Sequence, residues 1–137
     1  MDAYTDYTAE RPLRGVIGVL RDGERFLLIR RAGGVRAAGL WCFPGGRIEP
    51  DESEPDALVR ELHEELGIRV VPGERLFVQI KHDGRLVLHW WSATRIDGDL
   101  RPNPAEVAET RWLTPDEVRR LPDAIPGTNA LFDHLGR

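Results

Sequence analysis

Three carboxylates, Glu61, Glu64 and Glu65, fall within five residues of one another in the stretch GGRIEPDESEPDALVRELHEELGI, residues 45–68. At i,i+3 and i,i+4 spacing they share one side of a helix, where like charges repel by a few tenths of a kcal/mol per pair, roughly. The bland alternative is a solvated acidic face. Oxygen-only ligands grouped this way suit a hard divalent cation, Mg²⁺ or alternatively Mn²⁺, and such an ion would relieve the repulsion. The glycine pair Gly45-Gly46 just before the helix adds to this reading, because bare backbone there lets a ligand approach closely.

The helix that must hold these groups is expected from about Pro55 to Leu66, with Gly67 as its C-terminal stop. At about 100° per residue, Leu58, Leu62 and Leu66 form one apolar stripe, with Val59 beside it. Glu61, Glu64 and Glu65 form the adjoining stripe, facing out of the core, while His63 points away from them. The leucines anchor the helix on a sheet, and the carboxylates are thereby held in register.

Around this helix the chain reads as a mixed α+β domain. Residues 1–11 are polar and unpatterned, an expected flexible arm, and residues 12–137 form the domain. GVIGVL (15–20) and RFLLIR (25–30) flank an Asp-Gly and read as a hairpin. A glycine- and alanine-rich loop (31–40) leads through WCF to the turn at Pro44-Gly45-Gly46. RVV, RLFVQIKH and LVLHWWSATR read as strands, the last two joined at a second Asp-Gly, and ETRWL as a short strand. TPDEVRRL opens with Thr114 as N-cap and Pro115 at N1, and ALFDHL closes the chain as a short helix. Trp90 and Trp91 alternate across their strand, so one faces the core and the other a cleft or solvent. Trp41 and Trp112 read as packing residues.

Composition narrows the function classes. At 137 residues with 41% hydrophobic content, the chain can bury a real core without staples. A net charge of −4 argues against a protein that coats nucleic-acid polymers, though a basic pocket for a nucleotide fits on an acidic protein. The single cysteine, Cys42, leaves no internal disulfide. The four histidines lack ligand-like spacing with it, which argues against zinc. No apolar run approaches the roughly 18 residues of a membrane span, and the opening residues do not read as a signal peptide. A cytoplasmic protein without a membrane partner is expected.

Gly46, Glu52, Arg60, Glu61, Leu62, Glu64, Glu65, Gly67 and Ile68 stand at the spacing of the Nudix box, and each specified position is filled. The chain from about Arg14 onward resembles the Nudix hydrolase family in the order of its elements. The resemblance implies the Nudix fold, a mixed β-sheet sandwiched between α-helices. It also implies Mg²⁺-dependent hydrolysis of a nucleoside diphosphate linked to another group, in which metal ions neutralise phosphate charge and activate water. By the same resemblance, Glu61, Glu64 and Glu65 ligate metal, and the Gly45 carbonyl adds an oxygen. Arg60 orients the carboxylates with Glu52 as its partner, and a surface ion pair would account for those two equally well. A fourth carboxylate comes from NPAEVAETRWL, with Glu106 favoured over Glu109 by its six-residue spacing from Trp112. The general base is Glu65 or Glu106.

The resemblance is greatest to the MutT-type branch, which converts nucleoside triphosphates, oxidised guanine nucleotides included, to monophosphate and pyrophosphate. It rests on IRRAGGVRAAGLWCFPGG, on LVLHWWSATRIDGDL and on AIPGTNALFDHL, though Asn129 follows Trp112 by two residues more than that branch leads one to expect. By carry-over, Arg31 lies by the base or sugar, Phe43 lines the base pocket, Gly46 gives close backbone approach, and Asn129 bonds a purine edge. As a helix N-cap, Asn129 would have an ordinary structural role instead. Alternative Nudix activities are hydrolysis of ADP-ribose, dinucleoside polyphosphates or nucleotide sugars. The ADP-ribose branch usually carries a proline some fifteen residues past the box, and QIKHDGR has none. A non-catalytic binding module would be expected to lose box carboxylates, which this chain keeps. An exposed edge of the LVLHWWSATR strand could support a homodimer.

Overall fold

The computed structural model describes residues 4–137, and two four-stranded sheets organise it. In the first, β5 (Gly45–Arg47), β1 (Leu13–Val19), β7 (Leu86–Asp97) and β6 (Arg69–Lys81) lie side by side in that order. The β1–β7 pair is parallel and the other two are antiparallel, so the sheet is mixed. In the second, β3 (Arg25–Arg31) takes β2 (Arg21–Asp22), β4 (Trp41–Cys42) and β8 (Val107–Leu113) as antiparallel partners. Helix α1 (Glu54–Leu66) covers one side, and α2 (Pro115–Arg119) and α3 (Ala130–His134) contribute to the core on the other. The expected sandwich of mixed strands between helices is the observed architecture.

Each side has its own apolar cluster. Leu58, Leu62 and Leu66 of α1 are fully buried with Val16, Leu27, Ile29 and Ile68. Phe26, Leu28, Phe43, Trp90, Leu131 and Phe132 build the second cluster. Successive β3 residues alternate between the two, which explains why Phe26 to Ile29 reads as a continuous apolar run. Burying each α1 leucine is worth about 1.5–3 kcal/mol, enough to hold a short helix against its own charge repulsion. Ser53 caps α1 by accepting from the Asp56 N–H, and Gly67 ends it in the left-handed conformation at φ 71°. Thr114 and Glu117 form a reciprocal capping box on α2.

Three expectations are corrected. GVIGVL and RFLLIR are not hairpin partners, since β1 pairs with β5 and β7 while the Asp22-Gly23 turn joins β2 to β3. The chain crosses between sheets near Leu20, whose carbonyl accepts from Leu27 N. RVV and RLFVQIKH are one strand, β6, because register shifts around Pro72 to Phe77 absorb the Pro-Gly break. Finally, β7 lies inside its sheet over residues 86–92, paired on both sides. Among the described strands the free edge at that end belongs to β6, so the strand edge offered for a homodimer is not where it was expected.

The first three residues of the expected arm lie outside the described residues. Beyond them Tyr4 is buried, 7% exposed, while residues 5–11 are exposed apart from the half-buried Tyr7. Among the described residues no helix is long and apolar enough to cross a membrane.

Candidate active site

The last two turns of α1 run beside β5, and the glycine pair allows the approach. A Cβ on Gly46 would run into the Glu61 carboxylate, and one on Gly45 into the Val16 carbonyl. Gly45 N donates to Glu65 Oε1 at 3.3 Å. Glu65 is 5% exposed. Burial, reinforced by the nearby Glu61 and Glu106 charges, pushes its carboxyl from an ordinary 4.5 up to about 8. Burial also raises Glu61, against the opposing pull of Arg60. Glu64 is half exposed at the rim.

Arg60 is the hub of the acidic face. Its Nε and Nη2 grip both oxygens of Glu52 at 2.8 and 2.9 Å, and Nη2 also donates to the Arg47 carbonyl at 2.9 Å. Its Nη1 reaches Glu61 at 2.9 Å and Glu64 at 3.2 Å. The bidentate bond from Arg60, with help from the Glu49 N–H, holds the Glu52 carboxyl down at about 2. The arginine thus fastens the loop carrying Glu52 to the helix and steadies two of the three glutamates.

The structure separates the two fourth-carboxylate candidates. Glu106, in the turn before β8, lines the same cavity as Glu61 and Glu65. Glu109 lies on β8 and is ion-paired to Arg111 at 2.7 Å and Arg30 at 3.7 Å. An all-oxygen set of Glu61, Glu65 and Glu106, two of them raised by burial and mutual repulsion, fits a hard divalent cation. Among the described residues no three such groups already stand close enough together to hold one. The physical reason is visible in Arg60, which draws Glu61 and Glu64 to itself.

The cavity has a volume of about 560 Å³, within the range of small-molecule sites. At one end are Gly45, Gly46 and the carboxylates. The first sheet then passes from β5 through β1 and β7 to β6, three strand spacings or roughly 14 Å. At the far end stand Gln79 and Lys81 of β6, facing Ile125 to Thr128. Lys81 Nζ donates to the Pro126 carbonyl at 2.8 Å, and burial lowers its pKa. Gln79 donates to the Gly127 carbonyl and accepts from Trp90 Nε1, both at 3.1 Å, which fixes its amide. Arg31 lines the cavity too, with Nε donating to the Arg36 carbonyl at 2.6 Å. Beside it the Cys42 thiol is pushed up to about 11 by burial, against the pull of Arg31.

Phe43 reaches this cavity from the second core cluster, 2% exposed and edge-on to Trp90 with ring centroids 5.2 Å apart. Trp90 is therefore the inward member of the tryptophan pair. Trp91 turns to the other face, where its Nε1 bonds Glu54 at 2.9 Å. Asn129 is not brought to the lining, which ends at Thr128. Among the described residues its Oδ1 is buried without a hydrogen-bond partner, and its side chain does not cap α3. Sequence reasoning missed Gln79 and Lys81, which lay in a run read only as a strand, and Tyr4, which belonged to an apparent arm.

Comparison with known proteins agrees with this geometry. The NUDIX domain model matches residues 10–135. The CTP pyrophosphohydrolase of Escherichia coli K12 is 41% identical over 104 residues, covering 74% of this chain and 75% of that protein. A MutT-like protein of Streptomyces ambofaciens is 36% identical over 118 residues, covering 80% and 73%. The crystal structure of the MutT protein from Methanosarcina mazei Go1 superposes with a TM-score of 0.77 at 26% identity, covering 92% and 94% of the two chains. The sandwich as a whole thus has its counterpart among known structures, and the chain belongs to the Nudix family of pyrophosphohydrolases.

Proposed function

We propose that the chain hydrolyses a nucleoside triphosphate to the monophosphate and pyrophosphate. The observation that carries this reading is the polarity of one cavity. It has a carboxylate end suited to a cation and its phosphates, and about 14 Å across the sheet a polar end carrying Gln79 and Lys81, with aromatic wall between them. Glu61, Glu64, Glu65, Glu106 and the Gly45 carbonyl are the groups that would hold Mg²⁺, which when bound neutralises phosphate charge and acidifies water. Arg60, tied to Glu52, positions Glu61 and Glu64. Glu65, which lines the cavity with Glu61 and Glu106, is the group assigned to take a proton from water.

Along the cavity, Arg31 and Lys81 supply donors and Phe43 and Trp90 supply apolar wall. That set favours a base presenting carbonyl acceptors, such as cytosine or an oxidised guanine. The similarity to a CTP pyrophosphohydrolase supports the same class. The test is Mg²⁺-dependent turnover of dCTP, CTP, dGTP, 8-oxo-dGTP, ADP-ribose and diadenosine polyphosphates, with products resolved by chromatography. The reading predicts the highest kcat/KM on a nucleoside triphosphate, with monophosphate and pyrophosphate formed. It fails if ADP-ribose or a dinucleotide is the better substrate.

A further inference from the structure

The segment 122–129, between α2 and α3, is held on two sides. On one side its main chain pairs with β4 of the second sheet. Trp41 N donates to the Asp123 carbonyl at 2.7 Å, Ile125 N donates to the Trp41 carbonyl at 2.9 Å, and Trp41 and Ala124 form a parallel bridge. On the other side it is held by side chains of β6, the edge of the first sheet: Lys81 Nζ donates to the Pro126 carbonyl and Gln79 Nε2 to the Gly127 carbonyl. Between these anchors Ile125, Pro126, Gly127 and Thr128 line the cavity, so the segment is a strap from one sheet to the other along its wall.

The strap has a defined shape of its own. Thr128, 5% exposed, donates to the Ile125 carbonyl from both N and Oγ1, at 3.1 and 2.6 Å. Gly127 is left-handed at φ 92°, and a Cβ there would stand 2.6 Å from Gln79 Nε2 and 3.8 Å from Lys81 Nζ. Glycine therefore lets the turn close onto both side chains. Behind this clamp, Trp90 Nε1 donates to Gln79 Oε1, and the indole is packed against Phe43 and Phe77 with ring centroids 5.2 and 5.0 Å away. The anchor to β4 is main chain to main chain and does not depend on side-chain identity. The anchor to β6 rests on two side chains, so residues 79 and 81 decide how far this wall stands from the first sheet.

We propose that Gln79 and Lys81 are positioning residues that clamp the strap and thereby set the width of the cavity where the nucleoside lies. The proposal rests on the nucleotide reading above. Its test joins hydrogen exchange of the free protein to steady-state kinetics in Mg²⁺ with the best substrate of the turnover panel. Lys81→Met removes one donor, and Gln79→Glu removes the other while keeping an acceptor for the Trp90 indole. Each is expected to speed amide exchange at Ile125 and Thr128 about fivefold and to leave exchange in α1 unchanged. Each is also expected to raise KM about fivefold with kcat within twofold of wild type. Lys81→Arg, which restores a donor, should bring exchange and KM back to within about twofold of wild type. Gly127→Ala disturbs the same contact from the strap, and its rise in KM should not add to that of Gln79→Glu. Thermal melts establish that each variant is folded.

The proposal is overturned if folded Lys81→Met and Gln79→Glu exchange the strap amides at the wild-type rate, whatever happens to KM, because the side chains then do not act through the strap. It is also overturned if KM is unchanged, or if kcat falls by as much as KM rises. Failure of the triphosphate reading shows separately, in the turnover panel with wild-type protein alone, and the exchange measurement needs no substrate.

Discussion

At the N-terminal end of α1, Glu54 is surrounded by donors, whereas near the C-terminal end Glu65 is surrounded by other carboxylates. Glu54 takes two bonds from Arg75 at 3.0 and 2.6 Å and one from Trp91 at 2.9 Å, with Arg14 at 3.5 Å and His89 at 3.3 Å. Burial alone would raise it, but the Arg75 and Trp91 bonds prevail and hold its carboxyl below the ordinary value. Glu65 has a single weak backbone donor and faces Glu61 and Glu106. One residue type on one helix is satisfied at one end and left wanting at the other. The satisfied end belongs to the fold, and the wanting end is the one proposed above to hold a cation.

Breaking the functional end should have the largest effect. Glu65→Gln is expected to lower kcat about a thousandfold in Mg²⁺ while the metal-free protein melts no lower than wild type. A Tm drop of many degrees with activity retained would assign Glu65 to the fold instead.

The pH dependence of stability sharpens the same contrast. Because the folded carboxyl of Glu65 is raised, its contribution to stability is full below 4.5 and is lost as pH rises toward about 8. At about 1.4 kcal/mol per unit, the metal-free protein should lose a few kcal/mol between pH 5 and pH 9. Urea titrations in EDTA would show this slope for wild type and a flatter one for Glu65→Gln.

The structural end predicts the opposite signature. Glu54→Ala strips partners from Arg14, Arg75 and the Trp91 indole, so unfolding should become easier by about 2 kcal/mol with kcat within twofold of wild type. A large loss of kcat in folded Glu54→Ala would end the division proposed for the helix. The smallest contrast lies near β8. Glu106→Gln should reduce kcat/KM about tenfold and Glu109→Gln hardly at all, measured under the same Mg²⁺ conditions.

The helix was legible because its signals are local: Gly67 at its end, leucines at helical spacing and glutamates beside them. The Thr114 N-cap of α2 was legible for the same reason. The chemistry of the box followed from residue types at fixed separations. What escaped depended on contacts far apart in sequence. In FVQIK, alternation separates Val78 and Ile80 from Gln79 and Lys81 but does not say which pair faces in. The structure exposes Ile80 by 68% and Val78 by 42%, and turns the polar pair to the cavity. Likewise, only the tertiary fold brings Tyr4 to His82, and only the count of residues after Trp112 hinted that Asn129 would miss the lining.

The position of β6 has a consequence for how such a protein can change over generations. Gln79 and Lys81 sit on the outermost strand, with no further described strand beyond it to be repacked when they are replaced. Sites separated by more than about 10 Å and sharing no partners contribute nearly independently. On the reading proposed above, a lineage can therefore change the contacts at this margin without moving the carboxylates of α1.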